Sequence, residues 1–402
     1  MPLSVVGAAG CAVVLLTFVS ALFFARARED GAVATPQRVL HVPGPLLGVL
    51  RIASVLLLAV TLAAAFWGTE DPLMNLAPTL VWIVAWLGLS FTCAFVADVW
   101  PALDPWRALH AVLPLAREPR LAWPRWLGCW PATALLLAWS WLEIVHPIAT
   151  SPRRLGMFML AWTAVSLAGM AGFGRRTWQA RADVFALAFA TFGRMPPLCL
   201  DIADPPAEED TPGLVAFVIA LLAIVLFDGF HASSGWHAFE AVVGRIVPLD
   251  VNGHVAGTTG LVLVWLVLLL LFEAATRATL ASLRERLAIT LLPIAVGYVV
   301  AHNFTTFVLQ GQRALALFSD PFGRQWDLFG TASFYPDLSW PDARASWFIA
   351  VGAVVAGHVA SIWSSHRAVR AAGVPRGRDA VALLPLTLLM VATTGVSLLL
   401  LA

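Results

Sequence analysis

Residues 213–231 read GLVAFVIALLAIVLFDGFH, with no charged side chain between Gly213 and Phe227. A helix rises about 1.5 Å per residue, so a run of this length crosses a hydrocarbon layer about 30 Å thick. Asp228, His231, His237 and Glu240 then arrive together, at the place where such a helix would leave the apolar layer. Similar runs recur along the chain and predict ten spans, at 3–25, 45–67, 78–100, 126–146, 155–173, 213–231, 255–279, 287–311, 345–366 and 380–401. Of the 402 residues, 60% are hydrophobic and 12% charged, against about 25% charged in soluble domains. The fold class is therefore all-α, a polytopic integral membrane bundle forming a single transmembrane domain over 1–402 with the lipid bilayer as its first partner. Short alternating segments of a membrane β-barrel are not what the pattern shows.

Arginine sets the orientation. All 25 basic residues are Arg, and 18 of them fall in or beside connections 26–44, 101–125, 174–212, 280–286 and 367–379. The alternate connections, 68–77, 147–154, 232–254 and 312–344, hold 6. Basic residues collect on the cytoplasmic side, which makes the chain N-out and C-out. No basic residue precedes the first run and Arg26, Arg28 and Arg38 follow it, the reverse of a cleaved signal. Abundant Ala, Val, Leu and Arg without Lys suggests a bacterial source, and hence a multi-pass protein of the bacterial inner (plasma) membrane.

Two polar-flanked stretches read as interfacial helices, near 104–113 and 178–195. In the first, Asp104 is a helix N-cap with Pro105 at the first helical position. Residues 201–213, DIADPPAEEDTPG, read as an acidic solvated linker. The aromatic outer loop 312–344 reads as a surface anchor or a lid. Four isolated cysteines suggest neither a disulfide framework nor a thiolate metal site. No phosphate-binding, nucleophile-elbow or zinc-protease motif is present, and the arginines are accounted for by topology, so no nucleic-acid partner is implied. Protein partners and cofactors stay unassigned, although a divalent metal is compatible with the histidines discussed next.

Ionisable groups inside the hydrocarbon cost about 2.5–3.5 kcal/mol each on insertion scales and usually face a cavity or a partner. In span 8, GYVVAHNFTTFVLQGQ, Tyr298, His302, Thr305 and Thr306 share one helical face. Asn303, Thr306 and Gln310 continue beside it, so Tyr298, Asn303, Thr306 and Gln310 are candidates to line a cavity. His358 lies in mid-span 9. Antiparallel neighbours would bring His302 and His358 to similar depth, as candidate metal ligands. Glu143/His146 and Asp228/His231 each have the carboxylate-x-x-His spacing used in bundle di-metal sites. The alternative throughout is interhelical hydrogen bonding, worth about 0.6 kcal/mol per contact.

LDPWRAL, RWLGCWPATALLLAWSWLEIVHP, SLAGMAGFGRRTW, FDGFHASSGW, HNFTTFVLQGQ, SDPFGRQWDLFGT and VGAVVAGHVASIW run in order between about residues 80 and 370. Together they resemble a family of bacterial polytopic membrane proteins labelled fenitrothion hydrolase-like. That resemblance implies hydrolysis of an organophosphate ester. Glu143, Asp228, His302, Asp320, Asp327 and His358 fall in matching stretches, whereas His146 and His231 depart from the family pattern. The catalytic candidates are accordingly His302, His358, Asp228 and Glu143, with a metal on His302 and His358 or with Asp228 or Glu143 as general base. A small-molecule or ion transporter is the rival reading, and a membrane assembly or metal-handling factor the third.

Overall fold

The computed structural model describes Leu15 and residues 37–202, 211–247, 250, 252–277, 280–375 and 378–400. The expected first span, 3–25, and most of the acidic linker lie outside the described residues. Among the described residues nine helices are long and apolar enough to cross a membrane. They coincide with the other nine sequence spans to within a few residues at most ends. The chain is thus an all-α polytopic membrane protein.

A three-residue strand β1 (Arg38–Leu40) leads into α1 (Gly44–Trp67) and α2 (Leu76–Phe95). Residues Thr79–Gly88 of α2 are π-helical, a wider winding that is rare and is often found at functional sites. Two short helices follow, α3 (Trp100–Leu103) and α4 (Pro105–Val112), then α5 (Trp130–Ile144) and α6 (Pro152–Phe173). A second short pair, α7 (Arg175–Arg181) and α8 (Val184–Phe192), precedes β2 (Leu198–Leu200), which lies parallel to β1 with Val39 opposite Cys199. The remaining helices are α9 (Leu214–His231), α10 (Ser234–Ile246), α11 (His254–Arg277), α12 (Arg284–Ile289), α13 (Leu292–Ser319), α14 (Ala343–Ala371) and α15 (Arg378–Leu400).

Helix α9 is the axis of the molecule. Every residue from Leu214 to Phe227 is buried, and α5, α11, α12, α13 and α15 pack around it. A helix apolar on all sides belongs inside a bundle, which explains why this run carries no polar face. Gly213 (φ 84°) turns the chain into α9 against the start of α5, where an added Cβ would lie 2.8 Å from the Trp130 nitrogen. The lipid-facing helices show the opposite pattern: Val49, Ile52 and Leu56 of α1, and Leu263 and Leu270 of α11, are exposed.

The short helices owe their starts to aspartate. Asp104 accepts the backbone N–H groups of Trp106 and Arg107, and Asp183 those of Phe185 and Ala186. Both are N-caps. Helix α4 packs on α1 and α6. The 178–195 stretch, read from its sequence as apolar mainly on one face, buries seven of the nine residues of α8 against α2, α3, α5 and α7. Its apolar side chains therefore fill the protein interior around nearly the whole helix.

The tightest helix pair is α13 with α14. An added Cβ on Gly297 would lie 2.5 Å from the Ala353 carbonyl oxygen, and one on Gly357 2.4 Å from that of Pro293. Small residues let membrane helices approach this closely.

Candidate functional site: a carboxylate–histidine cluster at the end of the central helix

The polarity of α9 changes only at its last turn, at Asp228 and His231. Asp228 is half-buried there and interacts electrostatically with Glu143 of α5 and with His302 of α13. Glu143 and His302 are also half-buried. The Trp86 side chain, on the π-helical part of α2, hydrogen-bonds Glu143. Four spans thus deliver two carboxylates, one imidazole and one indole to a single place. Carboxylates in low-dielectric surroundings beside an imidazole can exchange a proton, or hold a cationic group.

The other sequence candidates distribute differently. His358 is fully buried and has other partners. Its Nδ1 lies 2.8 Å from the Val354 carbonyl oxygen and its Nε2 3.4 Å from the Tyr298 hydroxyl. The Tyr298 hydroxyl donates to the Thr393 carbonyl oxygen at 3.0 Å. Both ring nitrogens of His358 therefore already meet protein oxygens. His302 interacts with Asp228, whereas His358 meets Tyr298. Among the described residues no group of three or more His, Cys, Asp or Glu is arranged to hold a metal ion.

The polar stripe of α13 serves several neighbours. Tyr298 is buried against α14 and α15. Thr305 donates to Ser346 of α14 at 2.9 Å, Asn303 and Gln310 are half-buried and Thr306 is exposed. Next to the stripe, Phe307 meets Phe91 of α2 edge-on, 5.1 Å between centroids. Below Tyr298 a ladder of buried polar contacts follows α14. Ser361 donates to the Thr290 carbonyl oxygen at 2.6 Å, and Ser365 and Thr290 hydroxyls lie 2.7 Å apart. Asp379, at the start of α15, accepts from Arg370 at 2.8 Å and faces His366 at 3.4 Å.

His231 and His146 find aromatic partners. His231 rests on Trp236 with centroids 4.6 Å apart, and His146 stacks toward His254 at 5.4 Å. The aromatic loop 320–340 is fastened to residues 67–76: Thr69 donates its N–H to the Phe322 carbonyl oxygen, and Arg324 to that of Trp67. Asp320 accepts from the N–H groups of Arg324 and Gln325, and Asp327 from that of Ala332. Asp320 and Asp327 therefore both shape this loop.

A second acidic site has no counterpart among the sequence candidates. Gln179 donates to Asp104 at 2.5 Å while Arg175 donates to Gln179, and Ser166 donates to Asp183 at 3.5 Å. Burial pushes Asp104 up to about 6, against the pull of the Arg107 amide and the Arg107 charge. Burial pushes Asp183 up to about 7, and the neighbouring Asp104 adds to the shift. The sequence signal was available in part: each aspartate opens a short helix, but only the three-dimensional fold brings two caps 79 positions apart into one network. No family model, no curated protein and no solved structure matches the chain.

Proposed function

We propose that this protein is a membrane-embedded hydrolase of esters, in which Glu143, Asp228 and His302 supply general acid and base. The observation that carries the reading is the convergence of these three ionisable groups, one from each of three spans, at the end of an otherwise apolar central helix. Intramembrane ionisable groups are costly enough that a half-buried cluster of them argues for chemistry. The resemblance to fenitrothion hydrolase-like proteins supplies the substrate class, a phosphoester with an aryl leaving group.

In this scheme one carboxylate takes a proton from water as the water oxygen attacks phosphorus. The P–O bond to the aryl group breaks, and the departing phenoxide receives a proton from the histidine–aspartate pair. One ester and one water give one acid and one phenol. His358 has no direct part, because its nitrogens are engaged by Val354 and Tyr298. The arginine distribution supports an N-out, C-out arrangement in a bacterial inner membrane.

The test is release of nitrophenol from an aryl phosphotriester and from an aryl carboxylate ester by purified protein in lipid nanodiscs. Turnover should fall at least about a hundredfold in Asp228→Asn and in Glu143→Gln, the range a general acid or base contributes. His358→Gln should retain far more activity than His302→Gln. Turnover that survives Asp228→Asn, Glu143→Gln and His302→Gln sinks the reading.

A further inference from the structure

Helix α1 turns one face to the bundle. Ser54, Leu58, Thr61 and Ala65 follow one another along that face and are buried. The same stripe continues toward the start of the helix through Arg51 to Gly48 and Gly44, at helical steps of three and four residues. Arg51 is half-buried, whereas Gly48 and Gly44 are exposed, and an added Cβ on either glycine would meet nothing within 4 Å. The packed side of α1 thus ends at Arg51 and leaves an open slot along about the first two turns of the helix.

Arg51 stands about 10 Å along α1 from its start, at 1.5 Å per residue. Leu46, Val49 and Ile52 around it are exposed, so this part of the helix meets lipid. A guanidinium keeps its charge at any ordinary pH, and a charge at this depth calls for a partner. Among the described residues none supplies it: the Arg51 Nε is buried without a hydrogen-bond partner, and the guanidinium enters no ion pair. Asp201, the carboxylate held at the start of α1, is engaged by His41 and by the Val42 amide. Helical side chains lean toward the N-terminus of their helix, so the guanidinium reaches back over Gly48 toward the bilayer surface. By the arginine distribution that surface is cytoplasmic, where anionic lipids collect. A lipid phosphate can enter the slot from there, and two of its oxygens can accept guanidinium N–H groups together.

We propose that Arg51 and the slot over Gly48 and Gly44 bind the phosphodiester headgroup of an anionic phospholipid of the cytoplasmic leaflet. The fatty chains of that lipid lie along the exposed side chains of Val49, Ile52 and Leu56. The site stands whether or not the protein is a hydrolase.

Native mass spectrometry of the full chain, released from detergent micelles, reads the binding directly. The probes are phosphatidylglycerol, phosphatidylcholine with the same acyl chains, and inorganic phosphate. The tightest phosphatidylglycerol should bind at least about tenfold more strongly than phosphatidylcholine, and inorganic phosphate should not displace it. Arg51→Gln should weaken it about ten- to a hundredfold, the worth of a hydrogen bond to a charged group. Gly48→Leu keeps the arginine, places its Cβ in open space, and should weaken the same lipid by filling the slot. Arg120→Gln, at an exposed arginine on the same side, should change little. Equal affinity for the two lipids, displacement by inorganic phosphate, indifference to Arg51→Gln or to Gly48→Leu, or an equal loss in Arg120→Gln each overturn the proposal.

Discussion

Asp183 shows how a residue's local role and its environment can disagree. As an N-cap it accepts two backbone N–H groups, which favours its charged form. Burial and the nearby Asp104 favour the neutral form and win, with Asp183 at about 7 and Asp104 at about 6. The ordinary value is near 4. Between about pH 4 and pH 7 the folded protein therefore holds more protons than the unfolded chain, and stability falls as pH rises through that window. The contribution of the protonated pair is complete below the ordinary carboxylate value and is gone once pH exceeds the raised one. Thermal unfolding in detergent should show the midpoint declining from pH 5 to pH 8, with Arg107, Arg175, Gln179 and Ser166 as the facing groups. Asp183→Asn keeps a capping side chain and should flatten that decline. An unchanged slope in the variant would show that other groups set it. Asp104 was legible in the sequence as a cap before Pro105, but its burial was not, because Gln179 and Asp183 reach it from a distant part of the chain. The same limit applied to His302, whose partner Asp228 lies 74 positions away.

At the scale of elements, hydropathy marks where helices run but not which faces meet. The paired glycines of α13 and α14 illustrate the gap: Gly297 and Gly357 stand in ordinary apolar runs, yet each abuts the other helix's backbone. Their contact places Tyr298 opposite His358 and brings Ser361 and Ser365 to Thr290. Gly357→Val should force the helices apart and cost about 1–3 kcal/mol, the usual range for overpacking, read as a lowered unfolding midpoint. Gly352→Val, on the same helix where an added Cβ would meet nothing, is the control and should change little. Equal effects would place the cost in helix propensity and not in the contact. The tryptophans around α2 escaped the sequence for a related reason. Trp82 stacks on Trp139 at 4.4 Å and Trp106 on Phe185 at 5.9 Å, but they come from different helices. Only the four-residue spacing of Trp82 and Trp86 hinted at a shared face.

Over the whole molecule, the connections fall into two groups by contact. Residues 67–76 bind the end of α13 and the loop after it, through Thr69 to Phe322, Arg313 to Leu73 and Arg324 to Trp67. His146 meets His254 between the end of α5 and the start of α11. The remaining contacts join a different set: β1 pairs with β2, Arg120 donates its N–H to the Gly172 carbonyl oxygen, and Cys129 donates to that of Pro212. These partners are the ones that strict alternation of the spans assigns to a common side. Which group faces the cytoplasm is a matter of charge. The arginine excess lies with the second group, and a positive-inside orientation puts it in the cytoplasm. Tyr335 is 86% exposed in the first group, and Glu118 is exposed in the second. With the native cysteines replaced by alanine, Tyr335→Cys should react with a membrane-impermeant maleimide in intact cells. Glu118→Cys should react only after the membrane is opened. The reverse pattern would invert the orientation while keeping the crossings, and labelling of both in intact cells would mean that the spans themselves had been misassigned.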